Sequence, residues 1–199
     1  MIKSKISSTP VMLVTGTSRG IGNYIAKYYA RKKYLVIGCS RSASNFKIES
    51  YIHYHIDISD SESVVKMISN IRKNYGRLDV LVNNAGIAYL NHSLLTPIEN
   101  IKNVLDINLG ANYILSRESA KIMKINNFGR IINISSYAVD FKIEGESIYA
   151  ASKAGVNTLT DILSREYIHL GITVNSVTPS ATRTDLISKV NPKKMRKLL

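Results

Sequence analysis

The stretch VMLVTGTSRGIG, residues 11–22, runs from four apolar residues directly into a turn that carries three glycines. Residues 24–29 then place apolar side chains at helical spacing, so the stretch predicts a strand, a glycine turn and a helix. In this arrangement backbone N–H groups and the helix dipole can receive a phosphate. A side chain at Gly16, Gly20 or Gly22 would obstruct the tight turn, the approach of a ligand or the packing of helix on strand. The stretch favours dinucleotide binding; the alternative is a glycine turn without a ligand.

The second apolar run, Tyr34–Cys39, ends at Ser40 and Arg41. An NAD site would carry an acidic residue at this point, because a carboxylate binds the ribose hydroxyls. An arginine instead suits a 2′-phosphate, and Arg19 in the glycine turn could approach the same group. The pattern therefore favours NADP(H) over NAD(H). The alternative is that both arginines are solvated surface residues.

The third apolar run, Tyr51–Ile56, begins only about ten residues after Arg41, so a parallel crossover here has room for a single helical turn or none. His53 and His55 alternate with apolar residues and are expected on one face of the strand. No Cys or carboxylate stands near them at ligand spacing, so no metal site is predicted. Asp57 ends the strand and could accept a hydrogen bond from an adenine amino group or cap a helix.

The middle of the chain continues the alternation of helix and strand. Residues 59–62, Ser-Asp-Ser-Glu, form a capping box that opens a helix. A fourth strand, Leu78–Val82, stops at the polar turn Asn83–Gly86. Open α/β sheets bind their ligands at such carboxyl ends of strands. The sequence therefore predicts that this turn lies where such a sheet binds its ligand.

A long helix is predicted after Thr96, with Thr96 as its cap, Pro97 at its first position and Glu99 at its third. Asn108 falls inside this helix among apolar neighbours. A buried asparagine must be hydrogen-bonded. Asn108 is therefore either a structural strut or a member of a polar relay.

The last third of the chain adds a fifth strand, Ile131–Ile134, which runs into Ser135 and Ser136, and a sixth strand, Ile172–Val177. The helix between them contains Tyr149. Strict alternation of strand and helix predicts an α/β fold with a doubly wound parallel sheet of the Rossmann type. At 199 residues the chain fits a single domain, with residues 1–199 forming one dinucleotide-binding and catalytic unit.

Tyr149 and Lys153 stand four residues apart on the predicted helix and therefore share one face. The reference pKa of tyrosine is about 10, and a fixed positive charge beside the phenol favours the phenolate. The pair could therefore move a proton. Spacing alone also fits ordinary surface packing.

Composition limits the other possibilities. The chain has one cysteine, Cys39, so it can form no internal disulfide, which is typical of a reducing compartment. The N-terminus lacks the apolar core of a secretion signal, and no run approaches the roughly 20 apolar residues of a membrane span. These features predict a cytoplasmic protein without a membrane partner. A formal charge of +13 would suit a nucleic acid, but the basic residues are scattered, with a cluster only at residues 193–197. No nucleic-acid partner is expected.

Taken together, the glycine turn, the Asn83–Gly86 turn, Ser136 and the Tyr149–Lys153 pair resemble the classical short-chain dehydrogenases/reductases, from Val11 to Asp185. The resemblance implies that Tyr149 is the general acid. It implies that Lys153 binds the nicotinamide ribose and lowers the tyrosine pKa. Ser136, which lies 13 residues before the tyrosine as in the family pattern, would hold the substrate carbonyl, and Asn108 would complete a proton relay through water.

The resemblance also extends the cofactor site to the end of the sixth strand, where Pro179 and Thr184 fall in the segment that binds the nicotinamide carboxamide. Ser180 replaces the glycine that usually follows the proline. The residues expected to contact NADP(H) are Gly16, Ser18, Arg19, Gly20, Ile21, Gly22, Ser40, Arg41, Asp57, Ile58, Asn84, Ala85, Gly86, Tyr149, Lys153, Pro179, Thr182 and Thr184.

Family members usually continue beyond Asp185 through a substrate-covering segment, a further helix and a seventh strand. The expectation is therefore a sequence truncated before the last strand, with residues 1–9 and 188–199 as flexible or incomplete ends. Dimers and tetramers are usual in the family, so a homo-oligomer is expected.

Within the family the chain most resembles the 3-oxoacyl-carrier-protein reductases. Those enzymes usually carry basic residues where this chain has Asn127 and Leu170, which weakens the case for a carrier protein as partner. The expected function is NADP(H)-dependent reduction of a small-molecule carbonyl, or oxidation of the alcohol. The alternatives are a non-catalytic NADP-binding regulator or scaffold and, less favoured, a nucleic-acid-binding protein.

Overall fold

The computed structural model describes residues 9–180. Within them six parallel strands form one sheet in the order β3-β2-β1-β4-β5-β6. The strands are β1 Val11–Thr15, β2 Leu35–Ser40, β3 Tyr51–His55, β4 Val80–Asn83, β5 Gly129–Ile134 and β6 Ile172–Val177. The direction of strand succession reverses between β1 and β4, which is the point where open α/β sheets bind ligands. The predicted doubly wound fold is confirmed.

Six α-helices connect these strands: α1 Gly20–Ala30, α2 Ser61–Tyr75, α3 Ile98–Leu105, α4 Ala111–Met123, α5 Ala138–Phe141 and α6 Ser147–Tyr167. Alternate residues of β1 face opposite layers. Val11 and Leu13 join a core built with α2, α4 and α6, whereas Met12 and Val14 join a core built with α1. The sheet is therefore covered on both faces, and its carboxyl edge is left to form a site.

The crossover from β2 to β3 contains no helix across residues 41–50, all of which are described. Side chains hold this segment instead. Asn23 on α1 donates a hydrogen bond to Asn45 over 3.0 Å, and the ring of Phe46 lies 4.4 Å from that of Tyr51. The short crossover expected from sequence is thus present and is fixed by contacts from its neighbours.

Two predicted helix caps are each wrong by one residue. Asp60, not Ser59, caps α2, because its carboxylate accepts hydrogen bonds from the backbone N–H groups of Glu62 and Ser63. Thr96 donates to the backbone carbonyl of His92 rather than capping, so α3 begins at Ile98 without a side-chain cap. At α2, Ser59 and Asp60 offer alternative acceptors for the same backbone donors. At α3 the cap position is Pro97, whose side chain cannot accept a hydrogen bond.

The long helix predicted after Thr96 is present but contains a π-helical segment, Asp106–Gly110, between α3 and α4. π-Helical segments are rare, and a large share of those that are known lie at functional sites. Asn108 lies in the middle of it and is 2% exposed. The wider turn therefore coincides with the buried asparagine singled out from sequence.

Asp79 anchors the start of β4. Its carboxylate accepts a 2.7 Å hydrogen bond from the backbone N–H of Val11 and pairs with Arg77 at 2.7 Å. We expect Asp79→Ala to lower the free energy of unfolding by about 3 kcal/mol, because it leaves a buried backbone N–H without its acceptor and removes the ion pair with a partly buried guanidinium. Urea denaturation measures this, with the exposed Asp161→Ala as control. Equal stability of the two variants would contradict the anchoring role.

None of the helices within residues 9–180 has the length and apolarity to span a membrane.

Candidate active site

A cavity of about 830 Å³ opens at the carboxyl edge of the sheet, a volume suited to a small molecule or cofactor. Most residues predicted to bind the cofactor line this cavity. They are Gly16, Ser18, Arg19, Gly20, Ile21, Ser40, Arg41, Asp57, Ile58, Asn84, Ala85, Gly86, Tyr149, Lys153 and Pro179. Thr182 and Thr184 lie outside the described residues.

The glycine turn forms the floor beneath this cavity. Gly16 and Gly20 have φ angles of +72° and +61°, a backbone region that favours glycine. Gly22 does not line the cavity. A Cβ at Gly22 would collide with the side-chain amide of Asn84 and with the Gly16 carbonyl. Its role in the structure is therefore close packing of the turn rather than direct contact with the cavity.

The Asn83–Gly86 turn is braced against β1. The Thr15 hydroxyl oxygen accepts hydrogen bonds from the backbone N–H groups of Asn84 at 3.0 Å and Ala85 at 2.9 Å. In return the Asn84 side chain donates to the Thr15 carbonyl over 2.8 Å. The two loops that lie at the switch point are thereby held as one unit.

The other end of the cavity carries the residues predicted to select NADP(H). The guanidinium of Arg41 lies 3.8 Å from the carboxylate of Asp57, and both side chains are substantially exposed. Asp57 also accepts hydrogen bonds from the backbone N–H and the hydroxyl of Ser59. An exposed pair at this distance contributes little energy. Arg41 is therefore available to an anionic ligand.

Tyr149 and Ser136 both line the cavity. Burial raises the pKa of Tyr149 above its usual value, the neighbouring Ser136 hydroxyl lowers it in part, and the charge of Glu146 raises it again. The sequence suggested the opposite net direction, because it placed a cation beside the phenol. The largest influence on the phenol is its loss of hydration on burial, and this raises the pKa. Tyr149 therefore keeps its proton at neutral pH.

Lys153 is 5% exposed, and its ammonium donates a 2.7 Å hydrogen bond to the carbonyl of Ile134 at the end of β5. Burial lowers the pKa of Lys153 to about 8. A Cβ added at Gly86 would lie 3.5 Å from its Nζ and 3.2 Å from Oδ1 of Asn108. The absence of a side chain at Gly86 thus keeps the approach to Lys153 open.

The side chain of Asn108 acts as a strut. Its Oδ1 accepts from the backbone N–H of Ile87 and its Nδ2 donates to the carbonyl of Ile87, each over 2.9 Å. Nδ2 also donates to the hydroxyl of Ser152 over 3.0 Å. The asparagine therefore joins the turn after β4 to helix α6, next to Lys153.

Sequence reasoning missed the apolar part of the cavity. Leu90, Tyr137, Phe141 and Ile143 line it together with Glu146. The rings of Tyr137 and Phe141 lie 5.8 Å apart. Four of these five residues stand between Ser136 and Tyr149 in the sequence. Their position in the segment between two predicted site residues, Ser136 and Tyr149, was the signal in the sequence that could have identified them.

No group of three or more His, Cys, Asp or Glu side chains suited to a metal ion occurs between residues 9 and 180.

The family model of the short chain dehydrogenases matches residues 10–195. The 3-oxoacyl-[acyl-carrier-protein] reductase of Rickettsia felis is 38% identical over 187 residues, which is 91% of this chain and 76% of that protein. The resemblance to 3-oxoacyl-carrier-protein reductases seen in the sequence is confirmed.

Solved structures agree. A 4-hydroxyisoleucine dehydrogenase complexed with NADH matches with a TM-score of 0.84 and 30% identity, over 90% of this chain and 78% of that chain. A metagenomic short-chain oxidoreductase in complex with NADP matches with a TM-score of 0.80 and 29% identity, over 89% of this chain and 86% of that chain. The chain therefore belongs to the short-chain dehydrogenase family and is an oxidoreductase that acts on C=O or CH–OH groups.

Proposed function

We propose that this protein is an NADP(H)-dependent carbonyl reductase in which Tyr149 supplies the proton. The observation that carries the proposal is that Tyr149, Ser136 and the buried Lys153 line one cavity, with Lys153 one helical turn from the tyrosine. An acid must hold its proton before the reaction, and the raised pKa of Tyr149 meets that requirement. The raised pKa of Tyr149 therefore favours reduction of a carbonyl as the direction of the reaction.

The residues of the cavity fit a dinucleotide. The glycine turn offers backbone N–H groups at the start of α1 to a pyrophosphate. Arg41 at the end of β2 is exposed beside the cavity, where it suits a 2′-phosphate. The structures of relatives contain NADH in one case and NADP in another. Arg41 and the absence of a carboxylate at Ser40 lead us to NADP(H).

Each side chain has a distinct task in this mechanism. The Ser136 hydroxyl donates a hydrogen bond to the substrate carbonyl, and Tyr149 transfers its proton to the same oxygen as negative charge develops there. Lys153 would hold the nicotinamide ribose and stabilise the phenolate that remains. Asn108 holds the backbone around Ile87 and completes the relay through water. The cofactor, when bound, would supply the hydride.

The apolar lining suggests the class of substrate. Leu90, Phe141 and Ile143 would contact a substituent next to the carbonyl, so we propose a carbonyl compound with an apolar side. A 3-oxoacyl thioester is the first probe, since relatives bear the name of 3-oxoacyl reductases. Asn127 and Leu170 replace basic residues that would dock an acidic carrier, which favours a small thioester or ketone.

Steady-state consumption of NADPH with a panel of short 3-oxoacyl thioesters, cyclic ketones and sugars tests the proposal. We expect turnover of at least one apolar carbonyl and no stimulation by nucleic acid. Tight binding of NADPH without turnover of any member would identify a non-catalytic scaffold instead. A steep salt-dependent association with DNA or RNA would favour the nucleic-acid alternative.

Arg41→Ala should weaken NADPH binding by about tenfold or more and change NADH binding little, because the lost charge-assisted hydrogen bond reaches only the 2′-phosphate. Fluorescence titration with both cofactors measures this. Arg31→Ala, at an exposed position after α1, is the control. An Arg41→Ala variant that still preferred NADPH to the same degree would remove Arg41 from the site.

We also propose that the protein works in the cytoplasm as a homo-oligomer. Tyr113 on α4 and Ile162 on α6 are about half exposed, and such apolar surface supports self-association. Sedimentation velocity would measure the number of protein copies in the oligomer.

A further inference from the structure

A chain of polar contacts runs beneath the segment that carries Arg41. The Tyr51 hydroxyl is hydrogen-bonded to the Thr17 hydroxyl at 2.9 Å and to Nδ1 of His53 at 2.7 Å. Nε2 of His53 in turn lies 3.1 Å from the carbonyl of Ser42. The contacts therefore connect the glycine turn with residues 40–42 by way of two side chains on β3.

The polarity of these contacts follows from the Ser42 carbonyl, which can only accept hydrogen bonds. Nε2 of His53 must therefore carry a hydrogen. Burial lowers the pKa of His53 below its usual value, which favours the neutral ring. The Ser40 hydroxyl donates to the same Ser42 carbonyl over 2.7 Å. Two donors thus fix the backbone on the far side of Arg41.

The backbone of β2 leaves space for this arrangement. A Cβ at Gly38 would collide with the Tyr51 hydroxyl and lie 2.6 Å from the Thr17 hydroxyl. Gly38 pairs with His53 across the two strands. Because Gly38 has no side chain, β2 leaves room for the Tyr51 side chain to reach Thr17 in the glycine turn. Tyr51 is also fixed from the other side by the ring of Phe46.

The short crossover makes these contacts necessary. Residues 41–50 form no helix, so no hydrogen-bonded backbone ladder holds the segment that follows Ser40. Arg41, Ser42 and Ala43 all line the cavity, and they are exposed. Side chains from β3 supply the support that a helix would give. A recognition group is effective only when its own backbone is held in place.

We propose that His53 is a positioning residue for recognition of the 2′-phosphate of NADP(H). His53 contacts the Ser42 carbonyl directly and the glycine turn indirectly, through Tyr51 and Thr17. These contacts fix the backbone that carries Arg41. Preorganisation of this kind raises affinity by reducing the ordering that binding requires. The inference rests on the proposed preference for NADP(H) and assigns part of that preference to a residue outside the cavity.

Dissociation constants of NADPH and NADH for His53→Phe and His53→Gln test the inference. His53→Phe keeps a planar ring and removes both hydrogen bonds, so we expect the dissociation constant of NADPH to rise about tenfold and that of NADH to change less than about twofold. The kcat with saturating NADPH should stay unchanged. His53→Gln should recover part of the loss, because its amide N–H can donate to Ser42.

Two further variants keep the test decisive. Tyr51→Phe removes only the hydroxyl and should shift the NADPH-to-NADH ratio in the same direction by a smaller factor. His55→Phe changes an exposed imidazole on the same strand and should leave the ratio unchanged. If His53→Phe weakens both cofactors equally, its effect is on the fold, and an unchanged ratio in Tyr51→Phe then overturns the inference.

The outcomes also separate this inference from the proposed function. A wild-type protein that prefers NADH contradicts both. A wild-type protein that prefers NADPH, with the same preference in His53→Phe and Tyr51→Phe, keeps the proposed function and overturns the role of His53.

Discussion

Replacing Tyr149 by phenylalanine is expected to lower kcat about a thousandfold while the dissociation constant of NADPH stays within about twofold of the wild-type value. The variant keeps the ring in its partly buried position and removes the only proton that the phenol can transfer. The hydroxyl of Ser136 remains able to bind the carbonyl oxygen, so residual activity from binding and orientation should persist. Stopped-flow measurement of NADPH oxidation under single-turnover conditions isolates the chemical step.

Tyr137→Phe is the matched control, since Tyr137 lines the same cavity and stands directly after Ser136. Its ring packs on Phe141, and that contact survives in phenylalanine. We expect kcat to change less than about threefold in this variant, which is far below the contribution of a general acid. Full activity in Tyr149→Phe, or an equal loss in both variants, would show that the proton comes from another group.

Lys153→Met should produce the second large effect, a loss of about a hundredfold or more in kcat/KM, because the variant lacks the charge that stabilises the tyrosine phenolate and the donor that holds the ribose. Cofactor affinity should fall together with kcat, unlike in Tyr149→Phe. The exposed Lys66→Met on α2 serves as control. Wild-type kcat/KM in Lys153→Met would contradict the role of Lys153.

The same substitution should change how stability depends on pH. The pKa of Lys153 is about 8 in the folded protein, against an ordinary value of 10.5. The buried charge therefore opposes folding fully below pH 8, and this cost is relieved as pH rises from about 8 to 10.5. The shift corresponds to roughly 3 kcal/mol.

Urea denaturation of the cofactor-free protein at a series of pH values measures this dependence. We expect the free energy of unfolding of the wild type to rise across that window relative to Lys153→Met. The methionine variant should be at least as stable at pH 7, since it buries no charge. Parallel curves for the two proteins would show that Lys153 is not the titrating group.

Local patterns were sufficient to predict the order of the elements and the position of the glycine turn. Apolar runs of strand length next to glycines, followed by helical spacing, depend on neighbours in sequence. For this reason the β6 bounds Ile172–Val177 agree with the structure without adjustment. The cap of α2 fell one residue away because Ser59 and Asp60 offer similar chemistry, and only backbone geometry chooses between them.

Features that depend on tertiary packing could not be obtained in this way. The partners of Asn108 are Ile87 and Ser152, 21 and 44 residues away in the chain. Likewise, spacing placed Lys153 beside Tyr149 and suggested a lowered tyrosine pKa. Burial of the phenol raises its pKa instead, and burial depends on the whole fold. The contact of His53 with Ser42 depends on the register between β2 and β3. That register cannot be predicted from local sequence patterns.

The most direct test of the central claim follows the hydride itself. The protein is mixed with a short 3-oxoacyl thioester, or with the carbonyl that the panel identifies, and with NADPH deuterated at the nicotinamide carbon that carries the transferred hydrogen. The account predicts an alcohol product that carries one deuterium on the former carbonyl carbon, formed by the wild type and about a thousandfold more slowly by Tyr149→Phe. Bound NADPH with no deuterated alcohol from any carbonyl tested would contradict it.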